Sequence, residues 1–160
     1  MKGDSRYQGR AGELRLISEF LLRGFNCAIP EIDEGDDFLV LYKDLNLIQN
    51  TARIQVKSSK KSKNKFQFNI PNIQLLTPTA PEIFYCFIFW KQDYQPEFYF
   101  IPRDQLSDLI TNDQKIGSLG KNNQKWNVSF PEPKGRILLG RKRADISQNF
   151  LDIDAFVKTV

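Results

Sequence analysis

The chain has 160 residues and contains no histidine. This absence excludes hydrolases whose general base is an imidazole, such as Ser-His-Asp and Cys-His enzymes, and also zinc enzymes with histidine ligands. There are two cysteines, Cys27 and Cys86, and neither has the close-spaced partner that is typical of a zinc site. Any catalytic chemistry must therefore use carboxylates, amides and lysine.

Long apolar runs are absent as well. The longest strongly apolar run without a charge, Ile83 to Trp90, covers eight residues, whereas a membrane-spanning helix needs about 20. The first residues show no apolar stretch of the kind found in a secretory signal. We therefore expect a cytoplasmic protein without membrane contact. The composition, 41% hydrophobic and 26% charged, is typical of a globular protein, and the length predicts one domain over residues 1–160.

Charge is distributed unevenly along the sequence. Residues 1–50 contain six basic and nine acidic residues, and five of these acids lie between Glu31 and Asp37. Residues 57–65 then contain five lysines and no acid, and residues 115–143 contain eight basic residues and one acid. Such stretches are often simply solvated, but two of them beside an acidic segment favour a groove for a phosphate backbone.

Apolar spacing predicts the order of helices and strands. Tyr7, Ala11, Leu14, Ile17 and Leu21 recur at helical spacing, so they predict a helix from about Arg6 to Arg23 with this face buried; Gly24 is suited to end it. The remaining predicted elements are strands at 38–42, 53–58, 65–70, 83–90 and 97–101, a short helix at 73–76, a helix capped by Asp104 and ending at Ile110, a strand at 126–130 and a terminal helix at 150–158. This order predicts an α/β or α+β fold with a mixed central sheet flanked by helices.

Four polar residues stand out on these elements. Glu13 lies in line with Ile17 and Phe20 on the first helix. Asp37 stands directly before the predicted strand at 38–42. Gln55 and Lys57 are two residues apart on a strand, so both project from the face opposite Ile54 and Val56. Each residue alone is typical of an ordinary surface, but together they predict a polar site.

The order Glu13, then Gly35-x-Asp37, then Gln55-x-Lys57 resembles the PD-(D/E)XK nuclease superfamily over about residues 6 to 60, and it is most similar to homing endonucleases with a Gln-x-Lys motif. The resemblance implies a restriction-endonuclease-like fold. It also implies a Mg²⁺ site, with Mn²⁺ as a substitute, formed by Glu13, Asp37, Gln55 and Val56, with Lys57 serving the attacking water.

Two points within this resemblance stay open. Gln55 stands where most members of the superfamily have an acid; its amide oxygen is still a hard ligand but brings no charge. Asp36 is an alternative to Asp37, because strand parity does not decide which of them faces the site, although the motif Gly-x-Asp favours Asp37.

The resulting hypothesis is a magnesium-dependent, site-specific endonuclease acting on double-stranded DNA. Cutting both strands normally needs two active sites, so we expect at least a homodimer, and the resemblance implies a homotetramer. The alternatives are a restriction or DNA-repair nuclease of the same fold, a non-cleaving DNA-binding module with a decayed site, and a structural protein without a nucleic-acid role. The expected DNA contacts come from the basic stretches, namely Lys60, Lys61, Lys63, Arg136, Arg141, Lys142 and Arg143.

Overall fold

A computed structural model shows how the predicted elements are arranged. The residues that it describes are 5–32, 35–44, 47–62, 65–91, 95–112, 117–120, 122–131, 138–139, 144–145 and 150–159. Within them the helices are Ser5–Leu22 (α1), Asn72–Leu76 (α2), Arg103–Asn112 (α3) and Ile153–Phe156 (α4). The strands are Asn26–Ala28 (β1), Phe38–Asp44 (β2), Leu47–Lys60 (β3), Lys65–Pro71 (β4), Ile83–Trp90 (β5), Pro96–Pro102 (β6), Gly117–Leu119 (β7), Lys125–Pro131 (β8), Leu138–Leu139 (β9) and Ala144–Asp145 (β10).

The central sheet has the strand order β1-β2-β3-β5-β6. Its β3 and β5 run parallel, with Gln55 opposite Tyr85, and the other neighbouring strands run antiparallel. A parallel pair needs a crossover connection, which β4 and α2 provide here. The expected mixed sheet flanked by helices is therefore confirmed. Within the described residues, no helix is long and apolar enough to cross a membrane.

A second, antiparallel sheet with the order β4-β8-β7 packs against one face of the central sheet. Aromatic side chains fill the space between them: Phe68 of β4 meets the rings of Phe87, Phe89 and Phe130 with centroids 4.9–5.5 Å apart. Leu106 and Ile110 of α3 belong to the same core. The alternation predicted for 65–70 is confirmed, because every second residue of β4 is buried.

The opposite face of the central sheet carries α1 and α4. Phe20 of α1 is fully buried, and its ring lies 5.8–6.1 Å from the rings of Phe25, Phe38, Phe100 and Phe156. Edge-to-face contacts at these distances favour one packing of the helix on the sheet. The even-numbered residues Ile54 and Val56 of β3 face this helical side of the sheet.

The predicted buried face of the first helix is wrong. Tyr7, Leu14 and Leu21 are 78%, 51% and 53% exposed, and Ala11 is exposed too, whereas Leu16 and Phe20 face the core. We call these four exposed residues the outer α1 stripe. The helix has two overlapping apolar stripes, and the Phe20 ring cluster decides which of them packs on the sheet.

The C-terminal helix is also shorter than predicted. Asp152 caps it by accepting a hydrogen bond of 2.8 Å from the Ala155 amide, so it begins at Ile153. The preceding Leu151 forms an antiparallel bridge with Phe100 at the edge of β6. Backbone hydrogen bonds to β6 thus replace the first turn of the predicted helix. The helix predicted to be capped by Asp104 begins at Arg103, so Asp104 lies in its first turn rather than at its N-cap.

Candidate active site

The predicted site lies where β2 and β3 part. The two strands pair with Phe38 opposite Ile54, and the Asp37 amide donates a hydrogen bond of 2.8 Å to the Ile54 carbonyl. Upstream of Asp37 the chain turns away through Gly35, whose φ of +105° is a conformation that favours glycine. β3 continues to Lys60, and within the described residues no strand pairs with the β2-facing edge of β3 from Val56 onward. We call this the open edge of β3.

Asp37 occupies this opening. Its Oδ2 atom accepts hydrogen bonds from the Val56 main-chain amide at 2.5 Å and from the Gln55 side-chain nitrogen at 2.6 Å. Hydrogen bonds to a carboxylate are stronger than neutral ones, so two of them hold the group firmly. Gln55 is itself buried, being only 5% exposed. Three of the residues predicted from the sequence are therefore in direct contact.

Lys57 lies next to this contact on the same face of β3 as Gln55. Its Nζ atom is 6.0 Å from the centroid of the Tyr85 ring, within the range of a cation–π interaction. Burial raises the pKa of the Tyr85 phenol strongly; Arg103 opposes this shift, and the negative charges of Asp37 and Glu82 add to it. Tyr85 therefore stays protonated and neutral beneath the lysine.

Asp36 points to a different partner. Its two carboxylate oxygens accept from the Arg53 guanidinium at 3.1 and 3.3 Å, forming a two-point ion pair, and Asp36 is 7% exposed. Neighbouring acids thus have separate roles in the structure. Asp36 joins the loop to β3 through Arg53, whereas Asp37 faces Gln55 and Val56.

Glu13 lies on α1, on the helical side of the central sheet. Its carboxylate forms an ion pair of 2.7 Å with Arg10, one turn earlier on the same helix. The adjacent Gly12 packs closely on β3: a Cβ atom there would be 3.0 Å from the Cβ of Ser58. The structure therefore sets Glu13 beside the strand that carries Gln55 and Lys57, but pairs it with Arg10 rather than with those residues.

A cleft of about 390 Å³ adjoins Lys57. It lies between the start of α1, the second half of β3 and strand β4, and among its described lining residues are two lysines and no acid. Polar residues that line it include Gln8, Lys57, Ser59, Lys60, Gln67 and Asn69. A cleft with this lining suits a polyanion that passes the site.

The predicted DNA-contacting residues are only partly within the described residues. Lys60, at the end of β3, is exposed and lines the cleft, and Lys61 follows it. Lys63, Arg136, Arg141, Lys142 and Arg143 lie outside the described residues.

The donor types around Asp37 fit a magnesium ion. The Asp37 carboxylate, the Gln55 amide oxygen and the Val56 carbonyl are all hard oxygen ligands. The amide and carbonyl of one strand residue point to the same side, so the Val56 carbonyl faces the same open edge as the amide that binds Asp37. Within the described residues, no three His, Cys, Asp or Glu side chains group to hold a metal, so such a site would have few charged ligands.

The Gln55 amide has its nitrogen toward Asp37. For its oxygen to share an ion with Asp37 Oδ2, the amide would have to rotate by half a turn, which exchanges the two atoms.

One comparison with known proteins returns a match. No protein-family model matches the chain, and no curated protein sequence does. A solved structure, that of the bacterial homing endonuclease I-Ssp6803I, superposes with a TM-score of 0.51 over 87% of this chain and 83% of that chain. The fold is similar to that of a homing endonuclease. Because the two sequences are 18% identical, the similarity to I-Ssp6803I shows the shared fold and leaves each residue role to the geometry.

Three residues beside Lys57 could not be predicted from the sequence, namely Tyr85, Gln67 and Asn69. Tyr85 lies within an uninterrupted apolar run and looks like any core residue. Gln67 and Asn69 alternate with Phe66 and Phe68, which identifies an exposed strand face but not its proximity to Lys57. That proximity comes from the packing of β4 on the central sheet, a contact that local spacing does not contain.

Proposed function

We propose that this protein is a magnesium-dependent endonuclease that hydrolyses phosphodiester bonds of double-stranded DNA at a specific site, as a homing endonuclease does. The observation that supports this most is the contact of Asp37 with Gln55 and Val56 at the parting of two strands, with Lys57 one step along β3. A fold similar to that of I-Ssp6803I is consistent with it.

In this proposal Asp37, Gln55 and the main-chain carbonyl of Val56 would hold the metal ion. Glu13 would complete the site from α1 by exchanging its ion pair with Arg10 for the metal. Magnesium, or manganese in its place, would neutralise charge on the phosphate and activate the attacking water. The hydrogen bond from the Val56 amide fixes the orientation of the Asp37 carboxylate beforehand. The Gln55 amide, whose nitrogen donates to Asp37, would rotate to turn its oxygen toward the ion.

Lys57 acts on the reacting groups directly. Its ammonium group lies over Tyr85 and lines a cleft that a phosphate could enter. From there it would orient the attacking water or stabilise charge that develops on the phosphate oxygens. Tyr85 is a positioning residue, because its neutral ring limits where the lysine can lie.

Lys60 and Lys61 would continue the contact along the DNA backbone beyond the cleft, and we propose the same role for Lys63, Arg136, Arg141, Lys142 and Arg143. Such contacts release counterions and position the duplex without reading its sequence. These phosphate contacts would contribute to DNA affinity rather than to the selection of the cleavage sequence.

We also propose that the protein self-associates, because a single site cuts one strand and a duplex has two. The outer α1 stripe supports this proposal. Tyr7, Ala11, Leu14 and Leu21 follow the heptad spacing of a helix seam and are exposed. In a two-fold dimer the stripe would pack on its own copy and bury all four residues on each chain.

One observation favours a second candidate, a DNA-binding module that does not cut. Gln55, a neutral side chain that donates its amide nitrogen to Asp37, stands where most nucleases of the superfamily have an acid, and a decayed site would have such a replacement. Restriction and DNA-repair nucleases of the same fold differ from the first candidate in biological role rather than in this chemistry.

The test is incubation of the protein with a pool of long duplex DNAs, with magnesium, with manganese and with neither. The proposal expects discrete fragments that require the metal and that disappear with Asp37→Asn. Binding of the pool with intact DNA under every metal condition would favour the non-cleaving module, and cleavage that survives Asp37→Asn would overturn the proposed site.

A further inference from the structure

The outward face of the second sheet has an unusual composition. The inward residues of β4 and β8, Phe66, Phe68, Val128 and Phe130, are buried against β5. The outward residues alternate with them and, between the prolines that end the two strands, are polar. We call this set the amide face; it consists of Lys65, Gln67, Asn69, Lys125, Asn127 and Ser129.

Amides and lysines dominate this face, and among its described residues there is no acid. The strand register places Asn69 opposite Asn127 and Gln67 opposite Ser129. An ordinary solvated strand face mixes both signs of charge, whereas this one presents paired donors and acceptors flanked by positive charge. Carboxamides are the side chains that pair with adenine edges in the major groove, and lysines bind phosphates.

The amide face is continuous with the candidate active site. Gln67 and Asn69 line the same cleft as Lys57 and Lys60. The Gln67 main-chain amide donates a hydrogen bond of 3.2 Å to Ser59 Oγ, which ties β4 to the strand that carries the site. A duplex with its phosphate beside Lys57 would therefore have neighbouring base pairs beside β4.

We propose that the amide face enters the major groove of the DNA and selects the cleavage site, with Gln67, Asn69 and Asn127 contacting base edges and Lys65 and Lys125 contacting phosphates. This inference rests on the proposed function for its substrate class. It adds the residues that would choose where the nuclease acts.

The dimensions agree with this assignment. Strands in a sheet lie about 4.8 Å apart, so β4 and β8 together fit a major groove that is about 12 Å wide. Residues two apart on a strand, such as Gln67 and Asn69, are separated by about 6.7 Å, which is close to two base-pair steps of about 3.4 Å. Within the described residues β7 pairs with 126–128 of β8, and no third strand is described beside the pair of Gln67 and Ser129. Asn127 contacts Ser118 at 3.4 Å, a long bond that a base edge could replace.

Double-stranded DNA is favoured over RNA because the major groove of an RNA helix is too narrow and deep for such a ribbon. A protein partner would need an acidic surface to match the lysines but would gain little from amides spaced at base-pair intervals. Both alternatives are outcomes of the experiment below.

The experiment is selection of preferred sites from a random duplex library by the full chain, carried out with calcium in place of magnesium. Binding of the selected site and of unrelated DNA is then measured for Gln67→Ala, Asn69→Ala and Asn127→Ala. Each variant is expected to lose roughly tenfold to hundredfold in affinity for the selected site, and to keep its affinity for unrelated DNA. Gln105→Ala, which removes an exposed glutamine on α3, is the matched control.

The outcomes separate this inference from the proposed function. If the parent protein cuts DNA and all three variants keep its site preference, the inference alone is overturned. Sequence selection that depends on these residues, without cleavage in any metal, supports the inference and overturns the nuclease. Preference for duplex RNA, or failure to bind any duplex, overturns the inference. Circular dichroism melting of each variant confirms that the exposed substitutions leave the fold intact.

Discussion

Gln55 donates a hydrogen bond of 2.6 Å to Oδ2 of Asp37, its neighbour across the open edge of β3. A carboxylate at position 55 would place two negative charges at the same distance, and such a pair repels unless a proton or a cation lies between them. Glutamine therefore makes a site that is satisfied before metal binds. Its oxygen remains available only if the amide rotates.

The first prediction concerns this residue. Gln55→Ala is expected to lower cleavage roughly tenfold to hundredfold, because Asp37 loses a partner that fixes it and the metal loses an oxygen ligand. Gln55→Glu is expected to bind manganese at least as tightly as the parent and to keep cleavage. Both are measured as magnesium- and manganese-supported cleavage rates.

The decayed-site alternative expects the reverse. In that case the parent is inactive with every metal, and Gln55→Glu is the one variant with activity. An active parent that is indifferent to Gln55→Ala would contradict both accounts of Gln55.

The second prediction concerns Lys57. Lys57→Ala is expected to reduce the cleavage rate by roughly 10²- to 10⁴-fold, the usual contribution of a group that assists proton transfer. Fold and DNA affinity should be nearly unchanged, because the substitution removes a charged head group from the cleft and no core side chain. Single-turnover cleavage and binding are compared with those of Lys158→Ala, an exposed lysine far along the chain. If Lys57→Ala cuts DNA at the parent rate, Lys57 has no catalytic role.

The third prediction separates Asp36 from Asp37. Asp36→Asn should lower the free energy of unfolding by about 1–3 kcal/mol, because the Arg53 guanidinium loses its charged partner in a buried ion pair. It should leave manganese binding intact. Asp37→Asn should abolish manganese binding and cleavage with a smaller effect on stability. Urea unfolding measures the stability of both variants, and manganese titration measures their metal binding. If Asp36→Asn alone loses manganese binding, Asp36 rather than Asp37 is the metal ligand.

The fourth prediction uses two glycines of α1. A Cβ atom at Gly12 would meet Ser58 at 3.0 and 3.1 Å and Ile88 at 3.2 Å, whereas one at Gly9 would meet nothing within 4 Å. Gly12→Val should therefore be less stable than Gly9→Val by about 1–3 kcal/mol, the typical cost of overpacking. The helix propensity change is the same in both, so it cancels. Cleavage should also fall in Gly12→Val, because α1 carries Glu13. Equal thermal stability of the two variants would show that α1 can move away from β3 and β5 without loss of stability.

The fifth prediction concerns the outer α1 stripe. Leu14→Arg should shift the protein from dimer to monomer in sedimentation analysis, because two copies would bring the introduced charges together at the seam. Leu14 is 51% exposed in the single chain, so the monomer should still fold. Ile73→Arg, at an apolar residue that is 74% exposed on α2, is the control and should leave assembly unchanged. An oligomer that resists Leu14→Arg assembles through another surface.

Local spacing was sufficient to predict much of the fold. The bounds of α1 and of β4 to β6 were predicted within a few residues, because each has a clear period or a continuous apolar run and ends at glycine, proline or a polar turn. The orientation of α1 could not be predicted, because the helix carries two apolar stripes. The stripe that packs on the sheet is decided by the contacts of Phe20 with aromatic rings that are mostly far away in sequence. Strand β1 and the edge strand β7 are three residues long, too short for any period.

The site could be predicted only in part. The order of Asp37 and Gln55 along two consecutive strands indicated one site, and the structure shows their side chains in contact. The pairing of Asp36 with Arg53 was not predictable, because it depends on how the turn at Gly35 directs two adjacent carboxylates. The ion pair of Glu13 with Arg10 has the three-residue spacing common on helices, but such pairs are too frequent to be informative.

The parallel pairing of β3 with β5 also bears on the order in which the site forms during refolding. Asp37 meets Gln55 and Val56 within a hairpin, at sequence separations of 18 and 19 residues, so closing this loop costs less entropy than closing a longer one. Lys57 meets Tyr85 only after the chain has passed through β4 and α2 and returned. Contacts of greater sequence separation form more slowly. We therefore expect the carboxylate half of the site to form early and its lysine half to follow with the second sheet.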